Sequence, residues 1–203
     1  MTAHSIYAVL SKPFRKRRLA RFLELFPPCR VVDFGGTASM WSELGFDVTL
    51  LNLDTGLRGD IAFVCGDVCN APFRDNAFAL SFSNSVIEHV GEWRRQKQMA
   101  SEMLRCGQMI YCQTPNFWFP IEPHLLMPFA HWIPGFCKNY FCVRYLTPTG
   151  LLTKLTRVQF ESEFSSIRLL SERDMKSLFP KARIMKERVF GITKSLIAFQ
   201  LTE

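Results

Sequence analysis

The sequence lacks the features that define several protein classes. Its seven cysteines are odd in number and include no Cys-x-x-Cys pair, which argues against a disulfide framework and against a zinc ribbon. The longest apolar stretch, residues 125–136, is interrupted by prolines and a histidine and is too short to span a bilayer. Internal repeats and low-complexity tracts are also missing. These absences favour a globular protein with reduced thiols, and we expect it to be cytoplasmic.

Composition and charge fit a single domain. The chain has 203 residues, of which 48% are apolar and 21% charged, as in an ordinary folded domain. Much of the net charge of +7 lies in one basic run, Arg15 to Arg18 followed by Arg21. Such a run can attract phosphates or anionic lipid, but a solvated helix face is the simpler interpretation. A membrane or nucleic-acid contact through this run is therefore not the favoured hypothesis.

Short apolar runs without strict alternation predict strands that are buried on both faces of a parallel sheet. These runs are residues 30–34, 47–53, 61–65, 78–83 and 109–114. Residues 92–106 predict a crossover helix before the fifth strand, with an apolar side formed by Trp93, Met99, Met103 and Leu104. The alternation of strands and helices indicates an α/β fold.

The two ends of the chain are also patterned. Residues 12–26 predict an amphipathic helix that Pro27 and Pro28 end, with its apolar face at Leu19, Phe22, Leu23 and Phe26. Near the other end, Ser171 is a predicted N-cap for a helix to Phe179. Two β-rich runs around Gly191-Ile192-Thr193, residues 182–190 and 194–201, predict an antiparallel hairpin.

Residues 115–147 lose this regular patterning. The segment is rich in proline, aromatic side chains and histidine, and it is too long for an ordinary connection. We interpret it as a lid or insertion with a functional role.

Small and acidic residues follow the first three predicted strands, where ligands of open α/β sheets bind. Gly35 and Gly36 follow Asp33, and glycine lets a ligand approach the backbone closely because no Cβ projects there. Asp54 lies 54 − 33 = 21 positions after Asp33, a spacing that suits a carboxylate bound to ribose hydroxyls. Asp67 follows the third strand, where a carboxylate can accept a hydrogen bond from adenine. The pattern predicts a ligand that contains adenosine.

With the segment from Ser81 to Val90, these pieces resemble the class I S-adenosylmethionine-dependent methyltransferases, particularly the type 11-like group of small-molecule enzymes. The pattern is carried by Gly66-Asp67, Ala71-Pro72-Phe73, Asp75 and Val86-Ile87-Glu88-His89-Val90. The resemblance covers residues 31–114. It implies a Rossmann-like three-layer sandwich with a mostly parallel seven-stranded sheet, in the order 3-2-1-4-5-7-6, and an antiparallel C-terminal strand.

The resemblance also implies S-adenosyl-L-methionine as the cofactor and assigns residues to its three parts. The methionine portion is assigned to Asp33, Gly35, Gly36, Asn84 and Ser85, the ribose to Asp54, and the adenine to Asp67 and Val68. The usual third glycine of the turn is missing, and Thr37, Ala38 and Ser39 follow instead. These side chains are small enough to permit binding.

Methyl transfer requires alignment of donor and acceptor, and a hydroxyl acceptor must also lose a proton. Histidine is suited to accept that proton near neutrality, so His124 and His89 are the candidate catalytic bases. Glu122 is placed to orient His124, with a surface carboxylate as the alternative. Asn116 and Trp118 lie just after the fifth strand, where a small-molecule methyl acceptor would enter.

Other interpretations remain open. A metal site built from His124, His131, Cys137 and Cys142 matches no standard zinc spacing, so no metal is expected. Methylation of RNA or protein is disfavoured because Thr114-Pro115-Asn116 lacks the Asn/Asp-Pro-Pro-Tyr/Phe signature. A nicotinamide-binding oxidoreductase would need a full Gly-x-Gly-x-x-Gly turn. A non-catalytic cofactor-binding module is the remaining alternative, because the glycine turn is incomplete.

Overall fold

The computed structural model describes residues 15–41, 43–53 and 60–202, apart from the side chain of Glu163. The chain forms two compact units. One, the sheet unit, comprises Pro28–Trp118 and residues 168–202. The other, the helical unit, comprises residues 15–27 and Phe119–Ile167. None of the helices in the described ranges is long and apolar enough to cross a membrane.

The sheet unit contains seven strands whose ends match the predicted ones within two residues. They are β1 (Arg30–Phe34), β2 (Asp47–Asn52), β3 (Ala62–Cys65), β4 (Phe78–Asn84), β5 (Gly107–Pro115), β8 (Arg183–Val189) and β9 (Ile192–Gln200). The sheet order is β3-β2-β1-β4-β5-β9-β8. Strands β1 to β5 are parallel, and β9 is antiparallel to β5. The predicted Rossmann-like order and the antiparallel final strand are confirmed.

The sheet is flanked by helices α2 (Trp93–Cys106) and α6 (Glu172–Leu178). The core contains strand residues together with Met99, Met103 and Met175 from these helices. Ser171 caps α6, as predicted, and its side chain accepts a hydrogen bond from the N–H of Asp174. The prediction for Leu104 was wrong, because this side chain is 38% exposed and lies off the buried face of α2.

The connection between β1 and β2 is short. Its described part contains one 3-10 turn, Ala38–Met40, and no α-helix. The two strands are joined within residues 35–46, and the N–H of Gly35 bonds to the carbonyl of Leu51. A helix dipole is therefore not available beside Gly35 and Gly36 in the described part of this connection.

The C-terminal hairpin turns one residue earlier than its predicted centre. Phe190 and Gly191 join β8 and β9, and both have positive φ, 48° and 80°. Two positive φ values at the centre of a two-residue loop are typical of a type I′ turn, which matches the twist of an antiparallel pair.

The helical unit begins with α1, residues 15–25, and the first residues of the predicted helix lie outside the described part. Phe22 and Phe26 are buried and stack with 5.2 Å between ring centroids. Leu23 was predicted on the same apolar face, but it is 40% exposed. The basic side chains at the start of α1 are mostly exposed, as the solvated-face interpretation expects.

The remainder of the helical unit extends beyond the predicted insertion, from 147 to 167. A short two-stranded sheet, β6 (Ile121–Glu122) and β7 (Met127–Pro128), precedes three short helices. These are α3 (Tyr140–Leu146), α4 (Pro148–Thr153) and α5 (Arg157–Glu163). Leu125, Ala130, Val143, Leu155 and Phe160 form a core inside this unit. The segment that lacked periodicity in sequence is therefore folded around its own apolar cluster.

Gly150 makes the corner between α3 and α4 possible. A Cβ at this position would lie 2.0 Å from the carbonyl oxygen of Val143 and 2.7 Å from that of Arg144. Because both atoms belong to backbone, a Gly150→Ala variant should separate the helices and lose about 1–3 kcal/mol of unfolding free energy. Chemical denaturation measures this loss, with Leu152→Ala as a control at an exposed site of the same helix. Equal denaturation midpoints for wild type and Gly150→Ala would contradict the close packing.

Candidate active site

Strand β1 carries Asp33 into the interior of the sheet unit. Its side chain is 1% exposed, and the indole N–H of Trp41 donates a hydrogen bond of 2.7 Å to Oδ2. The other oxygen, Oδ1, has no hydrogen-bond partner among the described residues. Burial raises the pKa of Asp33 to about 7, and the bond from Trp41 opposes part of that rise. Asp33 is thus a buried acid with one acceptor oxygen available.

Gly35 and Gly36 are required by contacts within the chain. A Cβ on Gly36 would lie 1.7 Å from Oδ2 of Asp33, and a Cβ on Gly35 would lie 2.5 Å from Val86. Gly35 also has φ of 78°, which favours glycine. The space that the sequence assigned to a ligand is therefore occupied, on the Cβ side, by Asp33 and Val86. The role of these glycines in cofactor binding stays a prediction.

At the end of β2, Asn52 holds the glycine turn. Its side-chain amide donates a 3.1 Å hydrogen bond to the carbonyl of Gly36, and its own carbonyl accepts from Gly66 after β3. Asn52 was not predicted as a site residue, although it ends the second strand two positions before Asp54. Asp54 itself lies outside the described residues. On the same turn, Thr37 and Ser39 share a hydrogen bond between their hydroxyls.

Asp67 lies after β3, as predicted, and its carboxylate already has partners. Arg95 of α2 contacts both oxygens, at 2.9 and 3.0 Å, and the N–H of Cys69 donates to Oδ1. Partial burial, which raises the pKa of Asp67, is outweighed by these hydrogen bonds and by the charge of Arg95, so its pKa lies below the usual value. The neighbouring Val68 packs against the core. An adenine bound here would share Asp67 with Arg95.

An Arg95→Ala variant tests this ion pair. Without the guanidinium, the pKa of Asp67 should rise toward its ordinary value of 3.8. The ion pair stabilises the fold above the unfolded-state pKa and is lost as pH falls through the lower folded-state pKa, so the variant should lose little stability in acid. NMR titration of the Asp67 carboxyl carbon measures the shift, with Arg94→Ala as the matched control. Identical titration curves for Asp67 in wild type and Arg95→Ala would contradict the pairing.

Strand β4 ends in a hydrogen-bonded group next to β5. Ser83 donates to the carbonyl of Phe34, and Ser85, with φ of 56°, donates a 2.7 Å bond to the side chain of Gln113. The predicted residue Asn84 is half-buried between them. Gln113 and Ser83 were missed because a polar residue inside an apolar run gives no signal about its partner.

Glu88 and His89 follow this strand and differ in environment. Glu88 is fully buried and accepts a 3.0 Å hydrogen bond from the hydroxyl of Thr114. His89 is exposed, and its backbone N–H bonds to the carbonyl of Val86. The buried acid that ties β4 to β5 is thus Glu88, whereas the catalytic role assigned to His89 stays a prediction.

Asn116, after β5, is tied to the C-terminal hairpin. Its side-chain amide donates to the carbonyl of Thr193, and its Oδ1 accepts from the N–H of Trp118 at 3.3 Å. Its own backbone N–H bonds to Lys194. These contacts give Asn116 a structural function, while the side chain of Trp118 is 62% exposed.

The helical unit contains a histidine paired with a buried acid. Nδ1 of His124 lies 2.7 Å from Oε1 of Glu122, whose other oxygen accepts a hydrogen bond from the N–H of Leu125. Glu122 is 2% exposed and is therefore not the surface carboxylate of the alternative interpretation. The carbonyl of His124 accepts from the hydroxyl of Thr149. Nδ1 of His124 therefore faces a buried carboxylate, which holds the ring in one orientation.

Comparison with known proteins supports the fold and the family. A family described as a methyltransferase domain matches residues 34–112. No protein of curated function matches the sequence. A putative Zn-dependent alcohol dehydrogenase from Rhodobacter sphaeroides has a TM-score of 0.62 at 12% identity, covering 92% of this chain and 89% of its own.

Two methyltransferase structures are also similar. A methyltransferase from Archaeoglobus fulgidus has a TM-score of 0.56 at 13% identity, with 96% and 99% covered. Phosphoethanolamine N-methyltransferase 2 from Haemonchus contortus, in complex with S-adenosyl-L-methionine, has a TM-score of 0.53 at 14% identity, with 84% and 38% covered. Identities this low show the fold alone.

The sheet order is that of a Rossmann-like fold, with Asp33 near the end of β1 and Asp67 after β3. The family match over residues 34–112 includes those strand ends. This match covers residues 34–112, less than half of the chain, and agrees with the predicted resemblance to the class I S-adenosylmethionine-dependent methyltransferases. The similar Haemonchus contortus structure contains S-adenosyl-L-methionine, the cofactor that the sequence predicts for this chain.

Proposed function

We propose that this protein transfers the methyl group of S-adenosylmethionine to a small or medium-sized metabolite, such as a sugar or a lipid-linked compound. The observation that carries this proposal is the helical unit, whose segment Phe119–Ile167 follows β5 in the chain and contains its own core. It also contains the paired Glu122 and His124. A folded insertion at this point of the chain suits recognition of a defined acceptor.

The acidic residues at the strand ends are complementary in charge to the cofactor. S-adenosylmethionine, when bound, supplies an electrophilic methyl group on a sulfonium, and its amino-acid tail carries an ammonium group. Oδ1 of Asp33 is a buried acceptor without a partner among the described residues, and such an oxygen suits an ammonium. We assign the methionine portion to Asp33, Gly35, Gly36, Thr37, Asn84 and Ser85, the ribose to Asp54, and the adenine to Asp67 and Val68.

We propose that His124 accepts the proton of a hydroxyl acceptor. Glu122 fixes the ring of His124 through Nδ1 and stabilises the imidazolium that forms, because its carboxylate is buried next to the ring. Asn116 and Trp118 remain candidate acceptor contacts, with Trp118 offering an exposed aromatic surface.

The shortened β1–β2 connection favours one second candidate, a module that binds the cofactor without catalysis. The described part of this connection has no α-helix, and Asp33 and Val86 fill the Cβ sides of the glycines. Such a module would bind S-adenosylmethionine and show no turnover.

A transfer assay separates these functions. The purified chain is incubated with methyl-labelled S-adenosylmethionine and with separate metabolite, lipid, RNA and protein fractions of a cell extract. Label in the metabolite or lipid fraction is expected, and label in RNA or protein would overturn the proposed acceptor class. Calorimetric binding of the cofactor without transfer to any fraction would indicate the module. Binding of a nicotinamide dinucleotide in place of S-adenosylmethionine would indicate an oxidoreductase.

A further inference from the structure

Five large apolar side chains project into solvent from α3 and α4 of the helical unit. Their exposed fractions lie between 54% and 65%. We call them the α3–α4 face: Phe141, Tyr145, Leu146, Leu151 and Leu152. Contiguous exposed apolar groups of this kind mark interaction sites, because isolated exposed residues are ordinary but clusters are not.

The α3–α4 face is held by a rigid corner. Thr147 caps α4 by accepting from the N–H of Gly150 and also donates to the carbonyl of Val143. Arg144 donates to the carbonyl of Gly150, and the close approach at Gly150 brings the two helices together. The rings of Phe141 and Tyr145 stack with 6.3 Å between centroids. The corner therefore brings α3 and α4, which carry the five apolar side chains, next to each other.

Cations flank this face, although the guanidinium of Arg157 pairs with the carboxylate of Glu161 at 3.1 Å. Residues 123–160 contain no aspartate or glutamate and contain four basic residues, Lys138, Arg144, Lys154 and Arg157. Lys138 precedes α3, Lys154 caps the end of α4, and both are exposed. Arg144 lies over the ring of Tyr145 at 4.9 Å. An apolar face flanked by cations complements a surface with apolar chains below anionic headgroups.

We propose that the α3–α4 face docks the protein on a lipid surface that contains anionic headgroups. The five apolar side chains insert below the headgroups, and the flanking cations contact phosphates. A second copy of the chain is a poorer occupant, because pairing two such faces would bring like charges together. Residues 123–160 contain no carboxylate side chain that could offset this repulsion. This docking does not depend on the identity of the methyl acceptor.

Vesicle sedimentation tests the proposal with the full chain. The probes are vesicles of phosphatidylcholine alone and vesicles that combine phosphatidylcholine and phosphatidylglycerol in about equal parts. Wild type should bind the anionic vesicles with roughly tenfold higher affinity than the neutral ones, and added salt should weaken that binding. The double variant Leu151→Ser/Leu152→Ser should lose roughly tenfold or more in affinity for the anionic vesicles.

Two further variants make the test specific. Lys138→Glu/Lys154→Glu should bind neutral and anionic vesicles about equally. Phe190→Ser is the matched control, because Phe190 is fully exposed in the hairpin turn of the sheet unit and should bind as wild type does. Circular dichroism checks that each variant is folded, and Phe141→Ser replaces the double leucine variant if that one does not fold.

Three results would overturn the proposal. The first is that wild type does not sediment with anionic vesicles. The second is that the leucine and Phe141 variants bind these vesicles as wild type does. The third is that Phe190→Ser loses as much vesicle affinity as the leucine variant. Sedimentation velocity addresses the competing occupant: a dimer that the leucine substitutions dissociate, without vesicle binding by wild type, would assign the face to self-association.

Discussion

A His124→Ala variant is expected to lose about 100-fold or more in methyl transfer to a hydroxyl acceptor while it binds S-adenosylmethionine as tightly as wild type. The expected loss follows from removing the imidazole that Glu122 holds by a 2.7 Å contact to Nδ1. The backbone carbonyl of His124, which accepts from Thr149, is retained in the variant. Single-turnover transfer and calorimetry measure the two quantities separately.

The control for this experiment is Glu122→Gln. The amide oxygen can accept from Nδ1 of His124 or from the N–H of Leu125 but not from both, and the negative charge that stabilises the imidazolium is lost, so a smaller loss of about tenfold is expected. Full transfer activity in His124→Ala would remove it as the base and would show that alignment of donor and acceptor is sufficient. Equal losses in cofactor affinity and in transfer would show instead that the substitution disturbs the fold.

An Asp33→Asn variant is expected to gain unfolding free energy relative to wild type as pH rises through the neutral range. Burial raises the pKa of Asp33 from 3.8 to about 7, so the folded state prefers the protonated acid. That preference is fully present below about pH 4 and is lost as pH rises through about 7. Asparagine stays neutral and can still accept from Trp41. The variant should therefore gain up to about 4 kcal/mol relative to wild type between pH 4 and pH 8.

Cofactor binding should show the complementary pattern. If the ammonium of S-adenosylmethionine contacts Oδ1 of Asp33, binding favours the ionised acid, and affinity should rise about tenfold from pH 6 to pH 8 in wild type. Asp33→Asn should bind more weakly and lose this dependence. Denaturation and calorimetry at several pH values measure both effects. Parallel pH profiles of wild type and variant would contradict the assignment of Asp33.

The strands and their order followed from the sequence because each strand is a short apolar run without alternation. The runs at residues 30–34 and 78–83 correspond to β1 and β4 with nearly the same bounds. The helical unit did not follow, because its core is assembled from scattered residues: Leu125 lies in a turn, and Val143 and Phe160 lie in helices of about two turns. Such helices are too short to show a period.

The sequence predicted where the site residues lie, but it did not predict which residues they contact. Asp33 and Asp67 lie at strand ends as expected, since that placement depends only on where the strands stop. The pairing of Asp67 with Arg95 spans 28 positions, and no local pattern indicates it. Gly36 illustrates the same limit. Its spacing suggested room for a ligand, whereas the carboxylate of Asp33 occupies the space that a Cβ at this position would need.

The most direct measurement is a crystal structure of the full chain grown with saturating S-adenosylmethionine. The account predicts adenosine next to Asp54 and Asp67, and the ammonium of the amino-acid tail at hydrogen-bonding distance from Asp33. Clear density for the protein with no cofactor there, or with Val86 and Asp33 closing the space beside the glycine turn, would contradict it.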